Sequence, residues 1–205
     1  MTKVKICGLK RREDIEAANR YLPDYIGFLF AKSRRQVTKE QAAELSALLN
    51  PAITPVGVFV NEEPERICRI VRAGIIRAVQ LHGSETPAYV NALKRRLESY
   101  GTIPVIKAVR MEPGVDLRLW ERSDADFLLF DQGAGGTGEA FDHELIGEAG
   151  ELVKPWFLAG GMSPETAPEA IRRFHPYAVD VSSGVESDGV KDPEKMRRMV
   201  AAVRG

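Results

Sequence analysis

Residues 55–81, PVGVFVNEEPERICRIVRAGIIRAVQL, decide the fold. The stretch opens on one apolar run, Pro55–Phe59, and closes on another, Ala78–Leu81. Between them Ile67, Ile70 and Val71 recur at the spacing of one helix face. Both runs are apolar nearly throughout instead of alternating with polar residues, the pattern of a strand covered on both faces. A strand, an amphipathic helix and a second strand with no hairpin signal between them imply a right-handed parallel crossover.

The same unit repeats in both directions. Val4–Cys7 and Tyr25–Phe30 precede it; Pro104–Val109, Phe127–Phe130, Trp156–Ala159 and Ala178–Val181 follow, at intervals of about 25 residues. Helical stripes lie between the runs: Ala43, Leu45, Leu48 and Leu49; Val90, Leu93 and Leu97; Met196, Met199, Val200 and Val203. Thr38 with Gln41 reads as a capping box, and Ser163-Pro164 and Asp192-Pro193 each read as a cap before a first-turn proline. Segment Gly114–Arg122 is short and polar, the weakest of the helices. Eight such repeats in 205 residues predict an α/β fold closed as a (β/α)8 TIM barrel, one domain over residues 1–205, since these barrels begin at about 200 residues. An open doubly wound sheet is the alternative.

Composition narrows the function. Lys plus Arg number 29 and Asp plus Glu 29, so there is no basic face for nucleic acid or a membrane surface, and any anion site must be local. No apolar run reaches about 18 residues, the length of a membrane span. The start, Met1 to Lys5, passes into a strand without the apolar core of a signal peptide, so a cytoplasmic chain is expected. Cys7 and Cys68 form neither a disulfide framework nor a ligand pattern; both are expected reduced, and no metal or cofactor is implied.

In a barrel of this kind the chemistry sits at the C-terminal strand ends. Gly160-Gly161 and Ser183-Gly184 end strands seven and eight, where close backbone approach suits a phosphate. Cys7 ends strand one in phase with Lys3 and Lys5, whose ammonium groups would favour its thiolate as a base or nucleophile. Asp131 at the mouth of an apolar strand suits a general acid. Arg34 or Arg35 could hold a carboxylate in a bidentate fork, and His82 ends strand four. Cys68, His143 and His175 read as structural. Gly133 to Gly138 matches a dinucleotide fingerprint in spelling but lacks the helix and acidic residue that fingerprint needs, so it reads as a loop over the substrate.

The chain resembles the phosphoribosylanthranilate isomerases of tryptophan biosynthesis. The likeness is carried by Lys5-Ile6-Cys7-Gly8, Ser33-Arg34-Arg35, Val79-Gln80-Leu81-His82-Gly83, Asp131 with Gly135-Gly136-Thr137-Gly138, Gly160-Gly161 and Asp180 through Glu186. It departs from the family's common pattern at Lys10, at Gln132 and in a loop one residue short before Arg35. The resemblance implies a cofactor-free Amadori rearrangement of N-(5-phosphoribosyl)anthranilate to 1-(2-carboxyphenylamino)-1-deoxyribulose 5-phosphate. It further implies Asp131 as general acid, Cys7 as general base, Arg35 on the anthranilate carboxylate, loops seven and eight on the phosphate, and Asp180 and His82 as further substrate contacts. A related phosphosugar-barrel isomerase of broader range and a catalytically silent barrel acting as a binding subunit are the competing expectations.

Overall fold

The computed structural model describes residues 1–111, 114–131 and 153–205. Eight parallel strands close into a barrel: β1 (Lys3–Cys7), β2 (Tyr25–Leu29), β3 (Thr54–Phe59), β4 (Ala78–Leu81), β5 (Val105–Arg110), β6 (Phe127–Asp131), β7 (Trp156–Leu158) and β8 (Ala178–Val181). Closure comes from β8 pairing with β1, with Lys5 opposite Asp180 and Ile6 opposite Val181. The open doubly wound sheet is therefore excluded.

The described helices are α1 (Arg12–Tyr21), α2 (Lys39–Ala47), α3 (Pro64–Arg72), α4 (Pro87–Leu97), α5 (Leu117–Glu121), α6 (Ala167–Phe174) and α7 (Pro193–Arg204). A small antiparallel ribbon, β9 (Glu186–Ser187) and β10 (Val190–Lys191), folds between β8 and α7. The stripes read from α3, α4 and α7 are buried, joined in one apolar layer with the outward faces of the strands. Each large side chain removed from water there contributes about 1.5–3 kcal/mol.

Two local readings need correction. Leu48 is 42% exposed, while Ala42 is fully buried. Helix α2 ends at Ala47, so Leu48 falls at its cap, out of phase with the buried stripe. Ser163 does not start a helix at Pro164; its hydroxyl accepts from the amides of Glu165 and Thr166 in a separate turn, and α6 begins at Ala167 with Pro168 in its first turn. The caps at Thr38 and Asp192 are as expected: Thr38 accepts from the Gln41 amide, and Asp192 from those of Glu194 and Lys195. Among the described residues no helix is long and apolar enough to cross a membrane. His143 and Gly133–Gly138 lie outside the described residues, and His175 is the left-handed C-cap of α6.

Candidate active site

The interior of the barrel changes character along its axis. At the N-terminal end Tyr25, Phe127, Phe157 and Tyr177 pack as a ring cluster, with Phe127 and Tyr177 centroids 4.9 Å apart. The Tyr25 and Tyr177 hydroxyls meet at 2.9 Å. Above them Val56, Ala78, Ile106, Leu129 and Ala178 fill the bore. Because strand side chains alternate, the next inward positions toward the C-terminal end fall two residues on. Gln80 and Asp180 follow Ala78 and Ala178; His82, Asp131 and Ser182 follow Gln80, Leu129 and Asp180. Period two thus gathers the polar residues at one mouth.

There they line a cavity of about 320 Å³ that contains Cys7, Arg35, Gln80, His82, Asp131, Gly160, Gly161, Asp180 and Ser183. Gly184 does not line it. A side chain on Gly184 would overlap the Met162 carbonyl, so this glycine lets the loops after β7 and β8 pack backbone against backbone. Gly160 and Gly161 have φ of 83° and 66°, which explains the pair, since that region favours glycine. Gly184→Ala is expected to cost about 1–3 kcal/mol of stability through overpacking and to raise KM, measured by denaturant unfolding and steady-state kinetics. A larger cavity of about 790 Å³ shares His82 and Asp131 but holds neither Cys7, Arg35 nor the glycine pair. The residues with chemistry converge on the smaller one.

The floor is a buried ion pair. Lys5 Nζ donates to Asp180 Oδ2 at 2.7 Å, with side chains 0% and 8% exposed. Burial opposes the Lys5 charge, but Asp180 and Cys7 outweigh it and raise its pKa above the ordinary value. Lys3, expected on the same face, instead bonds Asp24 at 2.8 Å and stays exposed, because it stands at the open start of β1. Burial pushes the Cys7 thiol above its usual value, and the ammonium groups of Lys5 and Lys191 only partly offset that. Small neighbours make room for it: a side chain on Gly27 would stand 2.7 Å from Cys7 Sγ.

Across the mouth, His82 Nε2 lies 3.3 Å from Asp131 Oδ2, and His82 Nδ1 lies 2.9 Å from Gln80 Nε2. With the Gln80 amide as donor to Nδ1, the imidazole proton sits on Nε2, the nitrogen nearer Asp131. Two buried acceptors, Gln80 Oε1 and Asp180 Oδ1, have no hydrogen-bond partner among the described residues. Both residues line the cavity, and unpaired buried acceptors there suit a ligand rich in hydroxyl groups.

On the β1–β2 side, Arg35 lines the cavity whereas Arg34 projects outward with 58% of its side chain exposed. Arg35 lies across Gly8, where a Cβ would come within 2.5 Å of Arg35 Cδ. Lys10 Nζ donates to the Arg34 carbonyl at 2.9 Å and ties the two loops. Arg35 Nε and Nη2 donate to the two Glu186 oxygens at 2.6 and 2.8 Å. Lys191 Nζ adds a third bond to Glu186 at 2.8 Å. Burial alone would raise the Glu186 carboxyl, but Arg35 and Lys191 hold it down at about 2. Because the folded value lies below the unfolded one, this pairing is complete above the ordinary carboxylate range and fades as pH falls toward 2. Sequence reasoning gave Gln80 and Glu186 no role of their own and missed Lys191, which becomes an inner residue only when the β9–β10 ribbon folds back. Among the described residues no cluster of His, Cys, Asp and Glu could hold a metal ion.

Comparison with known proteins agrees with this architecture. The family model for N-(5'-phosphoribosyl)anthranilate isomerase matches residues 4–202. The chain is 45% identical over 210 residues to the enzyme of that name from Acetivibrio thermocellus, covering 100% of this chain and 96% of that one. It superimposes on the Thermus thermophilus phosphoribosyl anthranilate isomerase with a TM-score of 0.86 at 34% identity, covering 99% and 98% of the two chains. A second solved structure, at 36% identity, TM-score 0.82 and full coverage of both chains, is a phosphoribosyl anthranilate isomerase in complex with reduced 1-(o-carboxyphenylamino)-1-deoxyribulose 5-phosphate. The chain belongs to the N-(5'-phosphoribosyl)anthranilate isomerase family.

Proposed function

We propose that Asp131 and Cys7 divide the family's rearrangement between them as acid and base. The reaction converts N-(5'-phosphoribosyl)anthranilate to the 1-(2-carboxyphenylamino)-1-deoxyribulose 5-phosphate skeleton, a step of tryptophan biosynthesis. The observation that carries the reading is one cavity lined by Cys7, Asp131, Arg35, Gly160, Gly161 and Ser183 together. That set suits a ligand that carries a carboxylate, a phosphate and reacting carbons.

Asp131 gives its proton to the ribose ring oxygen as the C1–O bond breaks, leaving an open-chain Schiff base. The iminium nitrogen acidifies the C2 proton, so the modest base at Cys7 suffices to remove it. The resulting enolamine takes a proton at C1 and gives up the proton of its C2 hydroxyl to become the ketone, so the atoms balance without an electron acceptor. Arg35 holds the anthranilate carboxylate by a charge-assisted fork. Gly160, Gly161 and Ser183 surround the phosphate with backbone amides. Asp180 and His82 stand beside the ribose hydroxyls.

Purified protein mixed with freshly made phosphoribosylanthranilate is expected to extinguish the anthranilate fluorescence of the substrate, with product confirmed by mass. The rate should survive dialysis against a chelator. Activity restored only by an added metal ion would overturn the acid–base account.

A further inference from the structure

We propose that Glu186 is a positioning residue that fixes Arg35 for selecting a ligand with an aromatic carboxylate. The inference rests on the reading of Arg35 given above. Glu186 is 5% exposed at its side chain and meets three cations: Arg35 and Lys191 at Oε1, Arg35 and Arg34 at Oε2. The ribbon presents it, since β10 places Lys191 opposite Glu186 in register. Lys191 Nζ also donates to the Ser182 carbonyl at 2.8 Å, which fastens the ribbon to the end of β8.

A guanidinium has five N–H donors in a rigid plane. Glu186 takes the Nε edge, using Nε and one Nη2 donor. That leaves Nη1 and the other Nη2 proton as a second fork, the kind that grips a carboxylate. The stem is fixed too, because Arg35 Cδ lies over Gly8, whose φ of 86° and missing Cβ let it approach. Held at stem and head, Arg35 offers its free edge in one geometry. Three cations against one acid leave the corner positive, so Glu186 orients the arginine without cancelling its attraction for an anion.

Two stable probes separate positioning from bulk structure: reduced 1-(o-carboxyphenylamino)-1-deoxyribulose 5-phosphate and its phenylamino counterpart lacking the carboxylate. Their dissociation constants are to be measured for the wild type, Glu186→Gln, Glu186→Asp and Arg35→Ala. Glu186→Gln is expected to weaken the carboxylated probe ten- to a hundredfold, on the scale of a misplacement of about 1 Å, and to leave the other nearly unchanged. Glu186→Asp keeps the charge but cannot reach both nitrogens, so it should show the same loss of selectivity; it decides the matter if the Gln variant does not fold. Equal weakening of both probes would reduce Glu186 to a structural part, and tighter binding of the carboxylated probe would make it a competitor for Arg35; either overturns the proposal. Selectivity lost in Arg35→Ala but kept in both Glu186 variants overturns the positioning role alone. Selectivity kept in Arg35→Ala overturns the carboxylate reading and the positioning role with it.

Discussion

Cys7→Ala and Asp131→Asn are each expected to slow turnover by at least about a hundredfold, the usual scale for a positioned acid or base, while both proteins stay folded. Neither change leaves a large hole or a broken pair. Cys7 is small, and Asp131 is one-quarter exposed beside His82. Stopped-flow turnover with circular dichroism on the same samples checks the claim. The pH profile adds a signature. The mechanism needs Asp131 protonated and Cys7 as thiolate together, so kcat/KM of the wild type should be bell-shaped, and burial of the Cys7 thiol places the alkaline limb at its raised value. That limb should vanish in Cys7→Ala. The residual rate in that variant is the expected contribution of Asp131 and binding alone.

Lys5→Met has the largest expected effect on stability. It leaves the Asp180 carboxylate in the barrel interior without its ammonium partner at 2.7 Å. Breaking a buried pair from one side costs about 3–5 kcal/mol, because the remaining charge is uncompensated. In a chain of this size that corresponds to a fall in Tm of roughly 6–20 °C, read by calorimetry. The double variant Lys5→Met/Asp180→Asn should recover most of the loss, since neither charge is then orphaned. Full additivity of the two single changes would contradict the pairing. The single variant should also move the alkaline limb of kcat/KM to higher pH, because one of the two ammonium groups that favour the thiolate is gone.

The barrel was legible because its strands are apolar on both sides and its helices on one. Runs such as Ala78–Leu81 and Ala178–Val181 coincide with the strands residue for residue. Much of the site was legible for the same reason: alternation from buried positions points Cys7, His82, Asp131 and Asp180 inward. What stayed hidden depends on closure. Lys5 and Asp180 are 175 residues apart and become partners only because β8 returns to β1. Glu186 and Lys191 sit in a polar segment with no periodicity, and the ribbon that turns them inward has strands of two residues each. Lys3 and Lys5 share a phase, yet the strand end lets Lys3 reach Asp24 and water. The ammonium that favours the Cys7 thiolate is visible in sequence two residues away, whereas the opposing cost of burial is not.

The most direct test of the central claim follows the C2 proton itself. Substrate carrying deuterium at ribose C2 should be converted by the wild type in a single turnover more slowly than the protium form, and Cys7→Ala should convert neither at an appreciable rate. Equal rates for the two isotopic forms, together with near-normal conversion by folded Cys7→Ala, would contradict proton removal at C2 by Cys7.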